Sequence, residues 1–248
     1  MIQIKSRDEI AILRKSNRIV ARVLRHLKEI TSPGRTGTDL DRIAERMIHG
    51  MGGVPAFKGY RGYPANICVS VNEQVVHGIP DSRVFEEGDI VSLDLGVIYR
   101  GYVGDAAITF PVGTVDPESN RLLEVTETAL MKGIEQAREG NRLFDISHAI
   151  QSHVEANGFS VVRDFTGHGI GRQMHEDPQI PNFGRAGTGD RLRAGMVLAL
   201  EPMVNAGDWR VRVLDNGWTV VTADGKRSAH FEHSIAITDG EPEILSLP

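Results

Sequence analysis

Four carboxylates lie inside stretches of this chain that otherwise read as buried β-strand. Asp94 and Asp105 sit in GDIVSLDLGVIYRGYVGDAAITF, Glu201 interrupts MVLALEPMV, and Glu232 stands in HFEHSIAIT. Val91, Leu93 and Leu95 alternate with Ser92, Asp94 and Gly96, the period-two pattern of a strand with two different faces. Arg100-Gly101 separates this run from a second alternating one, which predicts a β-hairpin with Asp94 and Asp105 roughly opposite each other on one face. Like charges facing each other across a strand pair repel, and the flanking Leu, Val, Ile and Ala leave little water to screen them. A bound cation removes the conflict; two solvated carboxylates on an exposed hairpin face would need none.

Glu201 and Glu232 pose the same problem, because neither run contains a basic residue except His and buried acids are rarely unpaired. A metal explains both with one assumption. His168 in TGHGIG adds a nitrogen donor, on a loop where Gly167 and Gly169 let the backbone pass close to a ligand. Asp94, Asp105, His168, Glu201 and Glu232 together carry too much negative charge for one divalent ion. They suit two, bridged by shared carboxylates and a water or hydroxide. Oxygen-rich ligation with one nitrogen fits Mn, Fe, Co or Zn, and affinity order alone does not choose among them.

The elements that must position these residues recur. Ser6-Arg7-Asp8-Glu9 is a capping box, and Ile10, Leu13, Val20, Leu24 and Leu27 form one helical stripe that ends at Thr-Ser-Pro-Gly, 31–34. Thr38 opens a second helix with Leu40, Ile43, Ala44, Met47 and Ile48 inward, closed by Gly50, Gly52 and Gly53. Residues 65–76 read as strand, and helical periodicity returns at about 117–139 and about 145–157. Gly34, Asp39, Leu40 and Gly52 match Gly140, Asp145, Ile146 and Gly158 at one offset. EGDIVSLD (87–94) matches AGMVLALE (194–201) at an offset one larger, which aligns Asp94 with Glu201. DAAI at 105–108 resembles EHSI at 232–235, so a longer insertion in the second half, including 211–223, brings Asp105 opposite Glu232. The expectation is an α+β chain forming one catalytic domain over 1–248, built as two halves of about 1–110 and 111–248 related by a pseudo-two-fold, each covered by a helix pair. Its four acids would converge where the halves meet.

The 248 residues can bury a full core, and 40% hydrophobic with 25% charged residues, without any low-complexity run, is ordinary globular composition. A formal charge of −5 argues against nucleic acid as the main partner, although Lys226-Arg227 forms a local basic patch. Cys68 as the single cysteine rules out an internal disulfide and any Cys-rich zinc module. The start, MIQIKSRDEI, carries charges where a secretory segment would be apolar, and no apolar run approaches the length of a membrane span. A cytoplasmic protein is expected.

With these residues in place, DLG…GDAA, GHGIG…HEDP, LEPMV and FEHSIAIT, preceded by GYRGYP and NEQVVHGIP, resemble the type I methionine aminopeptidases across nearly the whole chain. The resemblance implies the pita-bread fold, two pseudo-symmetric halves around a dinuclear metal site, with Asp94, Asp105, His168, Glu201 and Glu232 matching the five ligands. It implies that His77 in VVHGIP and His175 in QMHEDP face substrate. In that family a metal-bridging hydroxide attacks the first peptide carbonyl, and Glu201 would relay its proton to the leaving amine. His175 would stabilise the oxyanion and His77 hold the peptide nitrogen. A metal that binds the free amino terminus would restrict cleavage to one residue. Tyr60, Tyr63, Cys68 and Trp218 match positions lining the side-chain pocket, a place for an unbranched thioether. Phe57 stands where some bacterial members have Cys and Met174 where others have Phe; both preserve apolar volume, so effects of about 1–3 kcal/mol on discrimination are expected. Asn72, Gln74 and Ser228 fall where the family can bind a monovalent cation. The resemblance favours the short bacterial form, and implies nascent polypeptide N-termini as partners, transient ribosome proximity and a monomer.

Three other readings compete. An Xaa-Pro aminopeptidase or prolidase would share fold and ligands but usually carries a separate N-terminal domain, for which 248 residues leave no room. A non-catalytic binding protein on the same fold is disfavoured by intact ligands together with His77 and His175. A dinuclear phosphoesterase would need basic groups aimed at phosphate, and Arg172 is the one near the loops concerned.

Overall fold

The computed structural model describes residues 2–248. The first half comprises α1 (Arg7–Ile30), α2 (Gly37–Gly50), β1 (Val54–Pro55), β2 (Cys68–Val71), β3 (Gln74–Val76), β4 (Ile90–Tyr99) and β5 (Tyr102–Pro111). The second comprises α3 (Pro117–Gln136), α4 (Leu143–Ala156), β6 (Ser160–Val161), β7 (Thr166–Gly169), β8 (Glu176–Pro181), β9 (Val197–Leu200) and β10 (Met203–Asn205). It continues with β11 (Val211–Val213), β12 (Val220–Thr222), β13 (Ser228–His230), β14 (Glu232–Ala236) and β15 (Glu243–Ile244).

The capping box forms as the sequence requires. Ser6 N–H donates to the Glu9 carboxylate at 2.8 Å and Glu9 N–H to Ser6 Oγ at 3.3 Å, satisfying donors that a helix start leaves orphaned. Thr36, not Thr38, caps α2: its Oγ accepts Asp39 N–H at 3.2 Å, while Thr38 N–H is taken by the Asp81 carbonyl at 2.9 Å. The single strand expected over 65–76 is two, β2 and β3, because Asn72 adopts φ +56 and turns the chain. α4 starts at Leu143, ahead of Asp145, whose carboxylate accepts Arg142 N–H at 2.7 Å.

β4 and β5 make a hairpin closed by Tyr99 and Tyr102, with Arg100 at φ +49 and Gly101 at φ +79, the two left-handed positions of a type I′ turn. That turn fixes the register, which pairs Asp94 with Ala107 and Asp105 with Gly96. The two acids, expected roughly opposite each other, are therefore diagonal neighbours. A step of two residues keeps them on one face and opens the Cα spacing to roughly 7–8 Å, which leaves room for ions between the carboxylates.

Among the described residues a nine-stranded sheet runs β1-β4-β5-β14-β9-β7-β8, with β2 also on β4 and β15 on β14. β14 sets Glu232 beside Ala107, so Asp94, Ala107 and Glu232 form one row across three strands, with Asp105 two residues along from Glu232's partner. The β14–β9 register, His233 with Leu200, puts Glu201 level with Glu232 just beyond β9, and Ala199 pairs with His168 on β7. All five candidate ligands thus share one face, interleaved with Gly96, Ala107 and Ala199, which are too small to fill the space between them. The alternate residues supply the core on the other face. Val91, Leu93 and Leu95 pack with Val20, Leu24, Leu27 and Leu40 of α1 and α2, and Leu198, Leu200 and Ile235 with Leu122, Leu130 and Ile146 of α3 and α4. Each half covers its strands with its own helix pair.

α1 also fixes Asp105. Asp105 N–H donates to Asn17 Oδ1 at 3.2 Å, and Ser16 Oγ donates to the Val97 carbonyl at 2.6 Å. Gly104 permits this approach, since a Cβ there would stand 2.6 Å from Asn17 N and 2.8 Å from Ser16 C. Backbone cannot move aside as a side-chain tip can, so Gly104→Ala is expected to destabilise the fold by about 1–3 kcal/mol. Thermal unfolding measures this; an unchanged midpoint would contradict the close packing of α1 on β5.

Candidate active site

The five candidate ligands line a cavity of about 390 Å³, together with Phe57, Tyr60, Tyr63, Cys68, His77, Met174, His175 and Trp218. Every candidate ligand and pocket residue named from the sequence is brought together there. Asn72, Gln74 and Ser228 are not among its lining residues. Their groups bond internally: Ser228 N–H donates to the Asn72 carbonyl at 2.9 Å, Gln74 Oε1 accepts Val71 N–H at 3.0 Å, and Ser228 Oγ donates to Asn205 Oδ1 at 2.9 Å.

One ligand atom from each of Asp105, His168 and Glu232 lies within 4.8 Å of the other two, and Asp94 and Glu201 face the same space. Glu201 Oε1 is 3.4 Å from His168 Nε2. Among the described residues, Asp94 Oδ1, Asp105 Oδ1 and Glu232 Oε1 are buried without any hydrogen-bond partner. Orphaned buried carboxylate oxygens cost free energy, and their convergence on one space is what a cation site requires. Burial, followed by the charges of the neighbouring acids, pushes Asp94, Glu201 and Glu232 well above the usual carboxylate range, and burial raises Asp105 to about 7. Protons on the acids relieve this crowding in the metal-free chain, and a divalent cation in the same space would displace them.

His168 is prepared for the same task. Its Nδ1 faces the Gly169 carbonyl at 2.9 Å, and a carbonyl only accepts, so Nδ1 carries the hydrogen. Burial lowers its pKa to about 4, which keeps the ring neutral and leaves the Nε2 lone pair toward the acids.

Two further imidazoles border the acids. His175 Nδ1 is 2.8 Å from the Tyr60 hydroxyl, its ring stacks on Tyr60 at 5.5 Å, and it stands 4.4 Å from the His168 ring. Burial lowers its pKa, with the Arg61 charge adding to the effect. His77 adopts φ +59, a strained conformation for a residue with a Cβ, and burial lowers it to about 4. It meets Phe165 edge-on at 5.5 Å and Trp218 at 6.5 Å. The apolar end is ordered by Tyr63, whose hydroxyl donates to the Gly78 carbonyl at 2.8 Å while its ring meets Trp218 at 5.0 Å and Phe57 at 6.5 Å. Cys68 pairs with Asp94 in register, and burial pushes its thiol up, so it is an apolar wall and not a nucleophile.

Sequence reasoning missed Arg61, Asp164, Phe165, Thr166 and Gln179 in the lining. Arg61 lies within GYRGYP and Thr166 within TGHGIG, Asp164 and Phe165 just before the latter and Gln179 just after HEDP, and that proximity was the available signal. His230 was missed as well: among the described residues its Nε2 is buried without a hydrogen-bond partner, 3.8 Å from Glu201 Oε2. Arg172, the basic group weighed for a phosphoesterase, lies over the Tyr102 ring at 4.4 Å and does not line the cavity, whereas Arg61 does. Arg227 of the basic patch is held by Asp116 and by the Gly88 carbonyl at 2.7 Å.

Comparison with known proteins agrees with this geometry. The chain matches the model of metallopeptidase family M24 over residues 11–239. It is 57% identical over 247 residues to the methionine aminopeptidase of Clostridium perfringens, covering 100% of this chain and 99% of that protein. The crystal structure of methionine aminopeptidase from Thermotoga maritima superposes with a TM-score of 0.99 at 51% identity, over 100% of both chains. Prolidase from Pyrococcus furiosus gives 0.81 at 21% identity over 99% of this chain and 65% of that one, a likeness of fold alone. The chain therefore belongs to metallopeptidase family M24 and has its pita-bread fold. Within the family it stands among the methionine aminopeptidases, metal-dependent hydrolases that act on peptide N-termini.

Proposed function

We propose that this chain removes the N-terminal methionine from nascent proteins and peptides, with a preference for a small second residue. The observation behind this is the set of orphaned buried carboxylate oxygens facing a pocket walled by Phe57, Tyr63, Met174 and Trp218. Residues 1–248 act as one catalytic domain. Asp94, Asp105, His168, Glu201 and Glu232 hold two divalent ions, drawn from Co, Mn, Fe or Zn, which when bound supply Lewis acidity and make water nucleophilic at neutral pH. Asn72, Gln74 and Ser228 are the proposed seat of one monovalent cation.

The chain's own groups do the rest. Glu201, which would be deprotonated with the ions bound, takes a proton from water and returns it to the leaving amine. The Tyr60 hydroxyl donating to His175 Nδ1 leaves Nε2–H to meet the oxyanion, and burial keeps that ring neutral. His77, held against Phe165 and Trp218, bonds the peptide nitrogen. The pocket accepts the unbranched thioether. Nascent chains would be met in the cytoplasm, by a monomer in transient contact with the ribosome. Among the described residues no helix is long and apolar enough to cross a membrane.

Release of methionine from Met-Ala-Ser, Met-Trp-Ser and N-acetyl-Met-Ala-Ser tests the reading. The Ala peptide should exceed the Trp peptide in kcat/KM by about 10-fold or more, and the acetylated peptide should resist cleavage. Comparable cleavage of all three would contradict a site built for a free amino terminus and a small neighbour.

A further inference from the structure

Lys5 and Glu176 form an ion pair of 2.5 Å whose side chains are 4% and 5% exposed, and neither lines the cavity. Taking two charges out of water is costly, and apolar side chains of similar volume often serve a fold as well, so stability alone does not account for the pair. What it holds is the connection between β7 and β8. Glu176 opens β8 and pairs with Gly169, the neighbour of His168. The loop between them carries Met174 and His175.

The base of that loop is clamped from several sides. Glu176 Oε2 takes Lys5 Nζ, while Oε1 accepts Gln173 N–H at 3.2 Å. Lys5 is fixed by its own N–H to the Gly195 carbonyl at 2.7 Å and by Nζ to Gln3 Oε1 at 3.2 Å. Gly171 lies between the partners: a Cβ there would stand 2.5 Å from Lys5 Cε and 2.6 Å from Glu176 Oε1. Its carbonyl accepts Val103 N–H at 2.8 Å, which ties the loop to β5 close to Asp105. At the tip, His175 meets His168 and Tyr60.

We propose that the Lys5–Glu176 ion pair is a positioning device for His175, locking the β7–β8 loop so that the imidazole stays over the acid cluster. The proposal rests on the reading of His175 as a substrate-facing group. Lys5 and Glu176 are positioning residues, acting through the loop without touching substrate.

The test uses Lys5→Met, Glu176→Gln and the double variant in the full chain. The double variant leaves no unpaired buried charge, so it should fold and bind Mn(II) like the unsubstituted protein. Its kcat on Met-Ala-Ser should nevertheless fall by about 10-fold or more with KM little changed, because a small misplacement of a catalytic group is felt in the chemical step. Amide hydrogen exchange over residues 171–176 should accelerate by about 10-fold or more, local opening replacing a locked loop. Unsubstituted kcat in the double variant, or unchanged exchange over 171–176, would overturn the proposal. Should the unsubstituted protein release no methionine, the functional reading fails on its own, and the exchange result still decides whether the pair locks the loop.

Discussion

Glu201→Gln should lower kcat on Met-Ala-Ser by about 10²–10⁴-fold, the range in which a positioned proton carrier contributes. Glutamine preserves the shape of the side chain and keeps one oxygen that could face a cation, so at saturating Mn(II) the change removes chiefly the titrating group. Glu201 is placed for that task beside the other acids, its Oε1 3.4 Å from His168 Nε2; in the metal-free chain burial and the charges of Asp94 and Asp105 hold its carboxyl well above the usual carboxylate range, and a bound cation would displace that proton. Asn182 Nδ2 also bonds its carbonyl at 3.0 Å and fixes the backbone just past β9. KM should change little, because the pocket walls are untouched. A variant retaining more than about a tenth of kcat would remove Glu201 from proton transfer.

Asp105→Asn should act in opposite directions on stability and activity. Burial raises the Asp105 pKa from its ordinary 3.8 to about 7. Such a group keeps its proton in the folded chain where the unfolded chain has lost it, so its contribution to stability is complete below about pH 4 and is lost as pH rises to 7. Asparagine suffers no such loss. In metal-stripped protein the variant should therefore gain on the unsubstituted chain as pH climbs from 4 to 7, by up to about 4 kcal/mol, which is several degrees in unfolding midpoint. His77 and His168, lowered to about 4, and His230, lowered to about 3, impose the opposite slope, but both proteins share them and they drop out of the difference. Mn(II) works against this order: at about 100 times its Kd the ion adds about 2.7 kcal/mol to the unsubstituted chain, and much less where a ligand is missing, so the variant's lead at pH 7 should narrow. Methionine release by the variant should be lost. A metal-stripped variant no more stable than the unsubstituted chain at pH 7 would show that burial does not raise the Asp105 carboxyl in that cavity.

Much of this was legible because the chemistry stands against its background. An acid inside an alternating apolar run is a contradiction that only a partner resolves, so Asp94, Glu201 and Glu232 could be singled out without a structure. The capping box at Ser6 and Glu9 likewise names its own bonds. What sequence could not supply was register and relay. Asp94 and Asp105 share a face, but whether they stand opposite or diagonal depends on the turn at Arg100-Gly101 closing Tyr99 on Tyr102. Asn72 at φ +56 splits what reads as one strand, because asparagine tolerates a conformation that the flanking valines do not announce. Phe165 and His230 come from separate strands and loops and acquire meaning only beside His77 and Glu201. Lys5 is the extreme case, a surface residue type buried against a glutamate 171 positions away.

Metal-dependent release of methionine is the most direct test of the account. Protein stripped with EDTA should release no free amino acid from Met-Ala-Ser, and should begin to release methionine when Mn(II) or Co(II) is restored, with Ala-Pro-Ser left intact throughout. Cleavage of Ala-Pro-Ser alone would contradict the side-chain pocket, and release of methionine from stripped protein at an undiminished rate would contradict the metal site.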